Sequence, residues 1–402
     1  MPAVNAKNLQ LMLEDRTKGP AFVEQHLSEA FASGQLVPED FSIRDIFIST
    51  VPSGREMVEH FSPSAKRGGF SSSRELQEAA DAVSSSLFAN ITGQLIYTTI
   101  MRQAQAEDYV LSRMVPNVQT NFSGEKIPGV ANLADEAQIV KEGEEYTLAG
   151  FNEDWIETPQ TVKRGNIVPV TKEAIFFDRT NLILSTAGQV GLRLGANKEK
   201  RLLDAMVDEN TTAHRYKWRG TIYATYQASA PWINLQTSNA LVDWTDIDTV
   251  EQLAANVTDP NTGEPMPLML TDLVVTPQLR ATAYRILSAT NIAMQAGGFA
   301  TSGNLLRSDS PSPLGKHEYS AAYNVVCSRL LAQRMATDTT WYLGRVSEAL
   351  VYMQNWPITV EQAGADSAKG FERDIVAQYK ASEMGAAFVK EPRYLFKSTV
   401  AA

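Results

Sequence analysis

A chain of 402 residues with one cysteine, Cys327, cannot hold an internal disulfide framework. Cys327 lies in the apolar run AAYNVVCSRLL, where it reads as a small hydrophobic side chain. Histidine is nearly as scarce: His26, His60, His214 and His317 are scattered singly, so no imidazole pair has metal-ligand spacing. No run approaches the roughly 20 apolar residues that span a bilayer. The start MPAVNAKNLQ lacks the basic, apolar and small-residue order of a secretory signal. The sequence therefore predicts a soluble product of a reducing compartment with no membrane partner. The motifs G-x-S-x-G, a phosphate loop ending in GK[ST], H-E-x-x-H and C-x-x-C are also missing. A basic excess is missing too. With 36 Lys and Arg against 46 Asp and Glu the net charge is −10, which excludes a whole-surface nucleic-acid binder. These absences predict no catalytic residue, no cofactor and no metal: a structural protein rather than an enzyme.

What is present is organised around residues 162–210. Ile167, Val168, Val170 and Thr171 form a strand pattern, and Pro169 assigns it to an edge or a strand start. After a short loop, Ile183, Ala187, Val190, Leu194, Leu202 and Met206 keep helical spacing over about thirty residues. Asp178 or Thr180 supplies the oxygen that caps this helix. Gly188, Gly191 and Gly195 recur on one face, although each glycine in a helix costs about 1 kcal/mol relative to alanine. Such a stripe predicts a second backbone passing close by.

Ahead of this helix, NLQLMLEDRT and AFVEQHLSEAFASG read as helices, SIRDIFISTVP as a short extended segment, and residues 62–74 as a polar linker. Residues 75–114 form a long amphipathic arm. Between 116 and 161 glycine, proline and acids dominate. From Asp135 to Glu157 eight acids face one base, Lys141, which predicts a solvated hairpin reaching for a basic partner. The carboxylates Glu142, Glu144 and Glu145 lack the Asp/Asn/Gly spacing of a calcium loop. After the long helix, DIDTVEQLAANVTDP reads as a helix capped near Asp248, and LTDLVVTPQLRATAYRIL as strand, Thr276 cap, and Pro277 opening a helix. NIAMQAGGFATSGNLLRSDSPSPLGKH reads as a loop. AYNVVCSRLL, TTWYLGRV, ALVYMQNW, RDIVAQYKA and GAAFVK read as short strands of an antiparallel sheet.

The order of these parts resembles the major capsid protein of tailed double-stranded DNA phages, the Hong Kong 97-like family. The resemblance rests on the acidic hairpin, the strand VKRGNIVPVTKEAIFFD, the long helix, the turn DPNTGEPMPL, LVVTPQLRATAYRIL, and the closing RDIVAQYKASEMGAAFVKEPRYLF. It covers most of the chain from residue 81 onward and implies an α+β capsid fold. The implied division is a helical N-terminal arm (1–116), an extended loop (117–162) and a peripheral domain (163–245) holding the spine helix (178–210). An axial domain (246–345) follows, then return strands and a tail (346–402). It further implies self-assembly into hexamers and pentamers of an icosahedral head, formed in the host cytoplasm and enclosing DNA without reading its sequence. Scaffolding, portal and decoration proteins are the implied partners. Candidate contacts between subunits are Asp135, Glu136, Glu142, Glu144, Glu145, Glu153, Asp154, Lys163, Arg164, Gly188, Gly191 and Gly195. Two alternatives stand beside this reading: an encapsulin-like nanocompartment shell, and a hydrolase using the carboxylates of the acidic loop. Lys126 and Lys141 match no cross-linking motif residue by residue, so covalent linkage is not carried over.

Overall fold

The structure is a computed structural model that describes residues 29, 42–50, 58, 87–106, 109–128, 155–209, 215–218, 221–229, 231–259, 263–288, 291–295, 307–311, 323–335, 337–364 and 375–400. Its helices are α1 (Ile43–Thr50), α2 (Leu87–Ala104), α3 (Leu111–Met114), α4 (Lys172–Phe176), α5 (Thr180–Val207), α6 (Trp244–Ala255), α7 (Pro277–Ser288) and α8 (Val346–Ala349). The first strands are β1 (Asn117–Gln119), β2 (Lys126–Pro128), β3 (Trp155–Glu157), β4 (Val162–Thr171), β5 (Arg215–Trp218), β6 (Thr221–Tyr223) and β7 (Leu235–Thr237). They are followed by β8 (Asp272–Val275), β9 (Asn291–Gln295), β10 (Arg307–Pro311), β11 (Asn324–Cys327), β12 (Trp341–Gly344), β13 (Leu350–Gly364), β14 (Ile375–Val389) and β15 (Leu395–Thr399). The mixture of helix and strand is the α+β class that the sequence predicts.

Two compact units divide the chain. The first comprises Met1–Ala106, Val162–Asn197 and Trp356–Met384; the second comprises Glu107–Thr161, Lys198–Asn355 and Gly385–Ala402. The elements α5, β13 and β14 supply residues to both.

In the first unit one core gathers Ile43, Ile46 and Phe47 of α1 with Ile91, Leu95, Ile96 and Ile100 of α2. Val168 and Val170 of β4, Ile183, Ala187, Val190 and Leu194 of α5, and Tyr379 of β14 complete it. The segment read as extended is thus a helix. Its β-branched composition favours a strand, but burying Ile43, Ile46 and Phe47 together needs the three-and-four spacing of a helix. Its start is fixed by tertiary contacts: the Ile43 N–H donates to the Thr180 hydroxyl at 2.8 Å, and the Ser42 hydroxyl donates to Asp178 at 2.7 Å. Asp178 has φ of 50° and closes α4, with Arg179 N–H donating to Ala174 C=O at 2.8 Å and Asp178 N–H to Ile175 C=O at 3.2 Å. This is the Schellman pattern with aspartate where glycine is usual.

Gly191 accounts for the glycine stripe. A Cβ at this position would stand 2.3 Å from the carbonyl oxygen of Ile100, so the backbone of α2 lies directly against α5. Gly188 is looser: a Cβ there would meet only side-chain atoms of Gln103 and Thr99, at 3.6 and 3.9 Å. Gly195 is buried.

The second unit is built on a five-stranded sheet of order β11-β8-β12-β15-β7. β8 runs parallel to β11 and antiparallel to β12; β15 is antiparallel to β12 and parallel to β7. Side chains alternate between its faces. Leu273, Val275, Trp341, Leu343 and Phe396 meet α6 and α7, whereas Val274, Tyr342 and Leu395 meet Leu202, Leu203 and Met206 of α5. Covered on both faces, Leu273–Val275 of β8, Trp341–Leu343 of β12 and Leu395–Phe396 of β15 are apolar. In this unit β1 pairs in parallel with Tyr352–Met353–Gln354 of β13, and β2, β3, β5 and β6 form a further antiparallel sheet.

Three more readings are corrected. α6 begins at Trp244 rather than near Asp248, because Asp243 caps it and Asp246 completes a capping box. The segment read as a loop after α7 contains β9 and β10, which pair antiparallel. The short C-terminal runs ALVYMQNW, RDIVAQYKA and GAAFVK merge into the fifteen-residue strands β13 and β14. Cys327 is half-buried, and burial raises its thiol pKa.

Gly191→Ala should destabilise the protein by about 1–3 kcal/mol, the range for overpacking a core. Gly188→Ala should be neutral or stabilising by up to about 1 kcal/mol, since it meets only ordinary contacts. Urea denaturation of both variants checks the contrast, and equal effects would contradict the close approach at Gly191.

Candidate assembly surfaces

The candidate contact residues fall into three groups. Asp135, Glu136, Glu142, Glu144, Glu145, Glu153 and Asp154 lie outside the described residues. The residues on either side of their segment are described: β2 and β3 pair antiparallel, with Ile127 opposite Ile156. Before β2 the turn is tied down by the Asn355 amide, which donates to the carbonyls of Thr120 at 3.1 Å and Phe122 at 3.0 Å. The Glu125 N–H donates to the Thr158 hydroxyl at 2.7 Å.

Lys163 and Arg164 lie on β4, the edge strand beside β14. Lys163 is exposed, with its ammonium 5.7 Å from the ring centre of Trp356. On β13 the Glu361 carboxylate is bonded to Lys380 of β14. That hydrogen bond, then the charge of Lys380 and more weakly that of Lys163, hold its pKa below the usual carboxylate range. The first unit's stretches of β4, β13 and β14 therefore carry three cations, Lys163, Arg164 and Lys380, and two carboxylates, exposed Glu361 and buried Glu383. Gly188, Gly191 and Gly195 differ from both groups. They are buried, the first two against α2 of the same chain.

A cleft of about 280 Å³ in the first unit is lined by Asn90, Gln94, Tyr97, Gln362 and Tyr379 beside Gly93. Burial raises the pKa of the Tyr379 phenol, so it is protonated at neutral pH. The lining amides and phenols can hydrogen-bond a guest but include no carboxylate, imidazole or thiol. Among the described residues no group of three His, Cys, Asp or Glu side chains could hold a metal ion.

Sequence reasoning missed a buried ion cluster in the second unit. Arg393, 2% exposed, donates from Nε to Glu391 Oε1 at 2.7 Å and from Nη2 to Oε2 at 2.8 Å, a two-pronged bond. Its Nη1 stands 3.5 Å from the buried Asp259 carboxylate. The Asp259 N–H donates to Glu264 C=O and its C=O accepts from Gly263, both at 2.8 Å, with Gly263 at φ of 77°. The sequence signal was only KEPRYLF, in which Arg and Glu look like ordinary surface residues. Arg393→Ala would strand two buried carboxylates and should cost about 3–5 kcal/mol. Chemical denaturation measures this, and a loss typical of a surface site would refute the burial of the cluster.

The phage capsid protein family matches residues 156–398, more than half of the chain. No curated protein matches it. Among solved structures it is similar to the capsid of the Cyanophage P-SCSP1u, with 13% identity over 73% of this chain and 88% of that chain and a TM-score of 0.46. It is similar to a Mycobacterium phage Adephagia structure at 14% identity, over 74% and 91%, with a TM-score of 0.42. A virus-like particle from Pyrococcus furiosus is 11% identical over 75% and 96%, with a TM-score of 0.40. By the family match, which spans β3 through β15, the chain belongs to the phage capsid protein family.

Proposed function

We propose that this chain is the major capsid protein of a tailed phage, whose copies gather into hexamers and pentamers of an icosahedral head around double-stranded DNA. The family match over residues 156–398 carries the reading. It favours a phage head over a cellular nanocompartment. A hydrolase would need carboxylates in an apolar pocket with raised pKa. Of its candidates from Glu142 to Glu157, Glu157 is exposed on β3 and the others lie outside the described residues, and no observation favours it.

In this reading residues 163–245 form the peripheral domain, 246–345 the axial domain, and 117–162 an extended loop that lies over an adjacent copy. Charge supports the loop assignment. The acids Asp135, Glu136, Glu142, Glu144, Glu145, Glu153 and Asp154 complement exposed Lys163 on β4, which together with its neighbouring strands keeps an excess of one positive charge. The net charge of −10 keeps the packaged DNA loosely held, because phosphate affinity comes mainly from Lys and Arg contacts. Scaffolding, portal and decoration proteins complete the proposed partners, with assembly in the host cytoplasm and residence in the virion.

The purified chain, alone and beside the other head proteins of its phage, should give closed shells, tubes or five- and six-membered rings by negative-stain microscopy and size exclusion. A uniform monomer in every mixture, with turnover of a defined substrate, would overturn the reading. Deleting residues 135–153 should leave a folded subunit with an unchanged circular dichroism spectrum but reduce closed particles by about tenfold or more. Particles at wild-type yield would remove the loop from the contact between copies.

A further inference from the structure

We propose that the strap formed by residues 265–270, Pro-Met-Pro-Leu-Met-Leu, is a contact surface between copies of this chain, with Met269 as its anchor. The inference rests on the shell reading above and assigns it a surface.

The strap follows Gly263 and Glu264, which are bonded to Asp259 of the Arg393 cluster, and enters β8. It is held at both ends within the second unit. Thr258 bridges Pro265, the Met266 N–H donates to Val257 C=O at 3.0 Å, and the Thr271 N–H donates to Gly344 C=O at 3.0 Å. Between these anchors burial alternates. Met266, Leu268 and Leu270 are half-buried and pack on the core of Leu273, Val275, Trp341 and Leu343, while Pro265, Pro267 and Met269 face outward. Met269 is 69% exposed.

A surface segment with one apolar face normally carries polar residues on the other. Here the outward row is proline, proline and methionine, and no charge occurs from Pro265 to Thr271. Scattered exposed apolar side chains need no explanation, but a continuous apolar strap does. Flexibility does not explain it. Two prolines restrict the backbone, and the buried ion cluster fixes the entry, so little ordering entropy remains to be lost on binding.

Charge identifies the occupant. A nucleic acid or an ionic partner would find no countercharge on this row. Two copies that each carry −10 repel over most of their surfaces and can approach where both are neutral. A capsid chain is surrounded by its own copies. Methionine also suits a contact repeated at slightly different angles, because its unbranched side chain repacks without a fixed rotamer.

The test compares wild type with Met269→Asp and Met269→Leu under the conditions in which wild type gives shells or rings. At a site this exposed all three should share one thermal midpoint. Met269→Asp should lower the yield of assembled particles by about tenfold or more, and Met269→Leu should retain it. Met269→Asp particles at wild-type yield would overturn the strap while leaving the capsid reading intact. Equal losses in both variants would also overturn it, since an apolar anchor tolerates leucine. Absence of any assembly by wild type, even beside the phage's other head proteins, would overturn both.

Discussion

One continuous helix has to satisfy two hydrophobic cores. The first turns of α5 bury Ile183, Ala187, Val190 and Leu194 in the first unit, and its last turns bury Leu202, Leu203 and Met206 in the second. No charge may intrude on either seam unless it is fully bonded. Glu199 meets that condition. It is wholly buried, and its two oxygens accept from the N–H groups of Leu111 and Ser112 and from the Ser112 hydroxyl at 2.7–3.0 Å. The carboxylate thereby satisfies the N-terminal donors of the four-residue α3, which is too short to hold itself together. Around Gly191 the constraint is steric: α2 presents its backbone rather than side chains, and only the absence of a Cβ allows the fit.

The second unit solves a different problem. Its five-stranded sheet is buried on both faces, so Leu273–Val275 of β8, Trp341–Leu343 of β12 and the start of β15 are apolar, and polar anchoring falls at the strand ends. Asn234, fully buried, shows how this is done. Its amide donates to the carbonyls of Thr225, Pro392 and Leu395 at 2.9–3.0 Å and accepts from Gln227 N–H at 2.7 Å. Together with the Arg393 cluster it fixes the chain entering β15. Buried polar groups satisfied in this way specify one arrangement, because any shift leaves donors without acceptors in a dry interior.

How much of this could be read from the residues depends on how local the cause is. The long helix and the opening of α7 at Pro277 were legible, because periodicity and proline's fixed φ act over a few residues, whereas the Thr276 hydroxyl donates to the Asp338 carbonyl at 2.8 Å. α1 was not: Ile43, Phe47 and Ile48 favour strand locally, and Thr180, far along the chain, decides otherwise. β13 and β14 were read as fragments because Pro357 and Gly385 look like breaks. Gly385 in fact permits close strand contact, since a Cβ there would lie 2.5 Å from the Met353 carbonyl. The acidic candidates were chosen by composition, which reports charge but not position. The Arg393 cluster was invisible, because nothing in a sequence marks which arginine will be buried.

The pairing of β2 with β3 has a practical corollary. Once Ile127 and Ile156 are joined across the ladder, Pro128 and Trp155, the two ends of a 26-residue connection, are already held together by the subunit. Doubling such a loop adds only about 0.6 kcal/mol of closure entropy. A foreign epitope of similar length placed there would scarcely burden the folding of one subunit. A particle displaying it would then be limited by how copies meet, which separates the engineering of the fold from the engineering of the container.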